Sequence, residues 1–397
     1  MKEEAIGSLV SPEAALLLLA CRPRVAGEEM TAVRSRLERA VQWKTLARLA
    51  ESNAASALLF GAMRDAAPGG VTPWLARRLE SAHRDNAARH LLFSRRLAEI
   101  LDRFEANGIS VIPFKGPLLS EKLYGDPGLR AYRDLDVLVA PDHVERARLC
   151  LIELGYRPEV NVPHPERFPP TRHGGELSFL TPGGIDVDLH WALAPSFYPQ
   201  PFRIEEARRR LAVQEWQGRR VSTLDDADLL SYLCFHAAKH WWRRLSWLAD
   251  LARLADGRPD LWDRAEERCA ARGLRKPLLL AALLLAELLK VNTGHRLHGS
   301  ALREPGVVAS ARWVTLRLAS DAGCAEPTTG QIVRYTGNWI DSRLRRWKYI
   351  SGLLVTPTTN EWEALRLPRP LWPCYYAYRP LRLLAGSLTA PPGGARR

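Results

Sequence analysis

The sequence predicts an α+β fold: a small mixed-sheet core flanked by N-terminal and C-terminal helical regions. Three observations lead there. Apolar residues recur at helical spacing up to Gly108 and again beyond Thr223. The stretch between them breaks into short β-rich runs punctuated by glycine and proline. The length of 397 residues is enough for a full core divided among two or three domains. The expected boundaries are a helical region at 1–95, a sheet-bearing region at 96–222, a helical region at 223–345 and a basic, proline-rich segment at 346–397.

Taken in order, Ser11 and Pro12 open a capped helix over the apolar run 14–20. Leu46, Leu49, Leu58 and Leu59 continue the helical pattern, and a long arginine-rich helix ends in Leu97, Ile100, Leu101 and Phe104 before Gly108 stops it. Residues 109–114 read as a short strand. Lys115 and Gly116 turn the chain, Pro117 starts a helix to Tyr124, and a turn at 125–128 leads to a strand over 135–139. Pro141 and Asp142 open a further helix that ends at Gly155, and 157–175 is too proline-rich for a core element. Residues 176–180 and 185–191 are two strands joined as a hairpin by Thr181, Pro182, Gly183 and Gly184. Thr223 is the expected cap of a helix whose first turn holds Asp225, Asp226 and Asp228. The end, from Leu365 onward, mixes prolines with Arg369, Arg379 and Arg382, finishes at 391–394 in Pro-Pro-Gly-Gly, and reads as loose.

Hydrophobic residues at 46% and charged residues at 25% exclude wholesale disorder. A net charge of +13 attracts polyanions, but arginine far outnumbers lysine amid abundant alanine and leucine, so the charge reads as compositional, and no recognition motif points to nucleic acid. Cys21, Cys150, Cys234, Cys269, Cys324 and Cys374 are scattered without a close pair and read as small buried apolar residues. Glu3 and Glu4 precede the first apolar run, unlike a cationic signal peptide. The longest apolar run, 278–289, contains Glu287 and is too short to cross a bilayer, which makes the cytoplasm the expected location.

The chemistry concentrates in the middle. Strand periodicity puts Asp134 and Asp136 on one face and Leu135 on the other, giving two adjacent hard-oxygen ligands of the kind magnesium takes while keeping sites for substrate phosphates. In the later strand Asp186, Asp188 and His190 share a face, and a neighbouring Asp188 would complete three carboxylates able to hold two metal ions. Lys115-Gly116 sits at a strand-to-helix junction, where free N–H groups attract phosphate and glycine lets it come close. Arg130 and Arg133 match phosphate geometry. His236 and His240 are one helical turn apart, as zinc ligands are, but the usual glutamate between them is missing, so cleft lining is the better reading.

In combination, Phe114-Lys115-Gly116, Tyr124-Gly125-Asp126-Pro127 with Arg130, Asp134-Leu135-Asp136-Val137-Leu138-Val139 and Asp186-Val187-Asp188-Leu189-His190-Trp191 resemble the DNA polymerase β-like nucleotidyltransferase superfamily. They look most like its uncharacterised bacterial nucleotidyltransferase family, and residues 236–240 with Trp241 and Asp250 resemble that family too. The resemblance implies transfer of a nucleoside monophosphate from a nucleoside triphosphate to an acceptor hydroxyl with release of pyrophosphate, by a catalytic domain at 96–222 carrying two magnesium or manganese ions. Asp134 and Asp136 would bind both ions, and Asp188 would bind one while drawing the hydroxyl proton. Lys115, Gly116, Arg130 and Arg133 would hold phosphates. His236, Lys239 and His240 would line the cleft, Asp250 would orient a histidine, and His190 would contact the acceptor or orient Asp188. One departure stands out: Lys-Gly replaces the superfamily's Gly-Ser or Gly-Gly pair, and residues 117–133 intervene before the acids.

Two rivals share some of these features. An Asp-x-Asp glycosyltransferase would use the same metal logic, but the region is too short for a doubly wound nucleotide-sugar domain. A non-catalytic basic binding protein would leave the acids vestigial. A small-molecule or natural-product hydroxyl is the preferred acceptor, by family analogy alone.

Overall fold

The computed structural model describes residues 10–23, 31, 33, 41–66, 71–181, 183–199, 203–320 and 327–389. Glu3, Glu4, Pro182, Cys324 and the end at 391–394 lie outside the described residues. Among them, strands β1 (Val111–Pro113), β2 (Asp134–Val139), β3 (Arg157–Pro158), β4 (Glu176–Leu180) and β5 (Asp186–His190) form one sheet in the order β1-β2-β5-β4-β3. It is mixed: β2 and β5 run parallel, and every other neighbouring pair is antiparallel. A separate hairpin joins β6 (Ala212–Trp216) to β7 (Arg219–Thr223).

Alternation divides the sheet's side chains between two cores. Leu135, Val137 and Val139 of β2, with Val187 and Leu189 of β5, pack on Phe93, Leu97 and Phe104 of the long helix Pro73–Ala106 and on Val144 and Leu151 of the helix Val144–Glu153. From the opposite face, Ile112 and Leu138 join the core of the helical body. The face that carries Asp134 and Asp136 therefore looks toward that body.

N-terminal and C-terminal helices share this second core. Leu16, Leu46 and Leu59 belong to the same apolar cluster as Phe235, Leu248 and Leu283. Asn53 stitches the two halves. Its buried side-chain amide donates to the Leu49 and Leu318 carbonyls at 2.9 and 3.3 Å, and its Oδ1 accepts the Leu245 N–H at 3.1 Å.

Four local expectations need correction. Residues 157–175 do contribute to the core, since Arg157–Pro158 forms the edge strand β3 and Phe168 is fully buried. The helix Asp226–Lys239 is capped by Asp225, whose carboxylate accepts the Asp228 N–H, and not by Thr223. Thr223 ends β7 and donates to the Pro113 carbonyl at 2.6 Å, which ties the hairpin to β1. The segment from Leu365 is not loose as far as Thr389: a 3-10 turn at Arg369–Cys374 leads into the helix Tyr375–Thr389. Aromatic docking outweighs its prolines, since Tyr375 is fully buried and Trp372 meets Phe168 at 4.7 Å between ring centroids. Cys374 is exposed, whereas Cys21, Cys150, Cys234 and Cys269 are buried. No helix among the described residues is long and apolar enough to cross a membrane.

Removing the Asn53 amide strands the Leu245 N–H and the Leu318 carbonyl in the core. Asn53→Ala is expected to cost about 1–3 kcal/mol. Urea unfolding should show a lower midpoint with an unchanged slope.

Candidate active site

The parallel register places Asp134 opposite Asp186, Asp136 opposite Asp188 and Leu138 opposite His190. The antiparallel neighbour β4 sets Ser178 opposite Asp188 and Glu176 opposite His190. The polar face of three strands thus meets a cavity of about 320 Å³. From the sheet side it is lined by Asp134, Asp136, Glu176, Asp188 and His190, together with Lys115. From the helical side His236, Lys239 and His240 close it, along with Arg243, Arg244 and Trp247.

Asp136 is the hub. Its Oδ1 accepts from Lys115 Nζ at 2.9 Å and lies 3.2 Å from His190 Nε2, while its buried Oδ2 has no hydrogen-bond partner. His190 Nδ1 in turn approaches Glu176 Oε2 at 3.2 Å. Ser178 Oγ donates to Asp188 Oδ1 at 2.6 Å, which fixes that carboxylate. Asp136, Asp188 and His190 each offer a ligand atom within 4.8 Å of the others. An orphaned carboxylate oxygen inside such a set is a misfit for an apolar core and a fit for a divalent cation.

The electrostatics follow from crowding these charges out of water. Burial pushes Asp134 up to about 6, helped by the neighbouring Asp136 and opposed by Lys115. Burial and Asp136 also raise Asp188, against the pull of His190. Burial works on Asp136 in the same sense but is overcome by Lys115 and His190, which hold it well below the usual carboxylate range. His190 is raised to about 9: burial opposes the charge, and contacts with Asp136 and Glu176 prevail. Without a metal ion, the charged ring serves Asp136 and Glu176 as a counter-ion. The positive groups are crowded as well. Burial lowers Lys239, and Lys115 adds to the effect; burial lowers Arg244, with Arg243 and Arg133 contributing.

Trp241 and Trp242 both take left-handed backbone angles, φ 58° and 52°, which cost on the order of 1 kcal/mol or more each for residues with a Cβ. Complete burial of Trp242 holds the turn. Its product is the placement of Arg243 and Arg244 at the cavity.

Of the expected site residues, Lys115, Arg130, Arg133, Asp134, Asp136 and Asp188 line this one cavity, as do His190, His236, Lys239, His240 and Asp250. Gly116 and Asp186 are not among the lining residues. Gly116 is buried at φ 57°, one residue behind Lys115, and its carbonyl accepts from Arg130 Nη1 at 3.3 Å. Arg130 spends its other donors on Asp250 at 3.0–3.1 Å, which leaves a buried ion pair where a phosphate arm was expected. Asp250 accordingly holds Arg130 and accepts from the Tyr124 hydroxyl at 2.6 Å, and does not orient a histidine. His190 contacts Asp136 and Glu176 rather than orienting Asp188. His236 and His240 lie 4.7 Å apart between ring centroids, with both pKa values lowered chiefly by burial.

Sequence reasoning missed Glu176, Ser178 and Tyr232. A signal existed for the first two: counting back across the hairpin turn pairs Ser178 with Asp188 and Glu176 with His190. Tyr232 had none, since its ring is one of many on an apolar helix; it lies under Lys115 Nζ at 5.2 Å from the ring centroid. A second cavity, of about 460 Å³, shares Ala131, Tyr132, Arg133 and Arg244 with the first and reaches Ser52, Ser56 and Asn86 of the N-terminal helices.

A family model described as "Uncharacterised nucleotidyltransferase" matches residues 39–290. No curated protein matches the chain. No solved structure matches it either.

The raised His190 pKa gives a signed pH dependence. The stabilisation by its charge is complete below its unfolded value near 6.5 and is lost as pH rises through about 9. In metal-free buffer the melting temperature of the wild type should fall across that window, and His190→Gln should flatten the fall. Parallel curves for the two proteins would refute the assignment.

Proposed function

The chain belongs to the uncharacterised nucleotidyltransferase family, and from that premise we propose that it moves a nucleoside monophosphate from a nucleoside triphosphate to an acceptor hydroxyl. The observation that carries the reading is Asp136 set beside Asp188 in register, inside a cavity whose helical wall brings Lys239, Arg243 and Arg244 to it. Asp134, Asp136 and Asp188 would hold magnesium or manganese, as two ions. When bound, such ions neutralise charge building on the reacting phosphate and favour ionisation of the attacking hydroxyl.

The protein's own groups supply the rest. Asp188, with its proton affinity raised by burial and one oxygen fixed by Ser178, takes the acceptor's proton. The acceptor oxygen bonds to the α-phosphorus as the bond from that phosphorus to the bridging oxygen breaks, and pyrophosphate leaves with that electron pair. Lys115, Lys239 and Arg133 receive the triphosphate and then the pyrophosphate; an anion bound beside Lys239 offsets the burial that lowers it. The buried Arg130–Asp250 pair keeps the cavity floor rigid. The acceptor, a small molecule or natural product bearing a hydroxyl, enters by the second cavity, where Ser52, Ser56 and Asn86 offer polar contacts.

The test is incubation with magnesium and each of the four common nucleoside triphosphates, labelled at the α-phosphate, with candidate acceptors. Label should pass to the acceptor with pyrophosphate released, and Asp136→Asn or Asp188→Asn should lower turnover by about 10²–10³ or more. Release of a nucleoside diphosphate from a nucleotide-sugar would point to the glycosyltransferase class instead. Magnesium should also raise the melting temperature of the wild type, and that shift should disappear in Asp136→Asn.

A further inference from the structure

The outer surface of the two C-terminal helices does not look like one that faces water alone. In the helix Arg343–Val355, Tyr349 is buried and marks the inward face. The opposite face carries Leu344, Trp347 and Leu354, with Leu344 80% and Trp347 71% exposed. A helix that faces only solvent puts polar residues there. Helix Tyr375–Thr389 repeats the pattern: Tyr375 is buried, while Leu381 and Leu384 are 64% and 63% exposed. The two helices pack together, and Arg379 donates to the Leu353 carbonyl at 3.0–3.1 Å.

Charge accompanies the apolar surface. Between positions 343 and 389 there are eight lysines and arginines against two glutamates, so nearly half of the chain's net +13 sits in this stretch. Arg343, Arg346 and Lys348 are exposed on the same helix as the leucines. Glu361 is buried in ion pairs with Arg379 and Arg382, which leaves Glu363 as the exposed acid. The charge is therefore concentrated, where composition alone suggested a general bias.

This pairing narrows the partner. Nucleic acid would use the arginines and gain nothing from exposed leucines. A second copy docking through the same face would set two strongly positive segments against each other. An anionic bilayer answers both features, since leucine and tryptophan side chains enter the headgroup boundary while arginine and lysine reach lipid phosphates. We propose that this face seats the protein peripherally on an anionic lipid surface. It lies on the membrane and does not span it, in keeping with the lack of any membrane-length apolar helix among the described residues.

Co-sedimentation of the full chain with phosphatidylcholine vesicles, with and without phosphatidylglycerol, tests this directly. Binding is expected only with the anionic lipid and should weaken at high salt. It should fall about tenfold or more in the triple variant Leu344→Ser/Trp347→Ser/Leu354→Ser, and likewise in Arg343→Glu/Arg346→Glu. Unchanged circular dichroism and melting would certify both variants as folded. The proposal is overturned if the anionic vesicles leave the protein in solution or if binding survives both variants. It is equally overturned if light scattering finds a dimer that the triple variant converts to monomer.

Discussion

Parallel pairing of β2 with β5 sets Asp136 beside Asp188, and a slip of β5 by one residue would turn Asp188 into the apolar core behind the sheet. That core enforces the register. Leu135, Val137, Val139, Val187 and Leu189 are almost fully buried on the far face, so the apolar side chains hold the acids on the face that lines the cavity. Hairpin pairing of β4 with β5 extends the same logic by one strand and adds Ser178 and Glu176.

Bringing four carboxylates together would be costly without compensation, and the chain supplies it from two directions. Lys115 arrives from the turn after β1, and His190 from the end of β5; both converge on one oxygen of Asp136. The positive residues on the helical side face them across the cavity, where burial is the main cause that lowers Lys239 and Arg244. Acids on one wall and cations on the other are suited to a ligand that brings both phosphates and metal ions.

Much of this was legible in the sequence because it follows from alternation. The facing of Asp134 and Asp136, the hairpin 176–191 and the break between helical and β-rich segments depend on local spacing that the fold preserves. The rest depends on partners distant in sequence. Nothing near Asp250 announces that Arg130, 120 residues earlier, takes its carboxylate. The hairpin of β6 and β7 escapes because its outward positions mix Val213 and Ser222 with the charged Glu215 and Arg220, and its turn, Gln217-Gly218, resembles any polar loop. The C-terminal prolines read as loop signals, yet aromatic docking on Phe168 orders that segment. Local composition cannot reveal such docking.

The core shared by the two helical regions bears on the order in which the chain folds. Asn53 bonds to Leu318 across 265 positions, whereas the sheet draws its strands from 111–190. Loop closure over so long a span is slow, and the ribosome delivers the N-terminal helices well before their partners exist. The sheet can therefore assemble while Leu16, Leu46 and Leu59 still lack half of their cover. During synthesis the N-terminal helices are the segment in need of protection, and the last part of the active-site wall to form is the helical one.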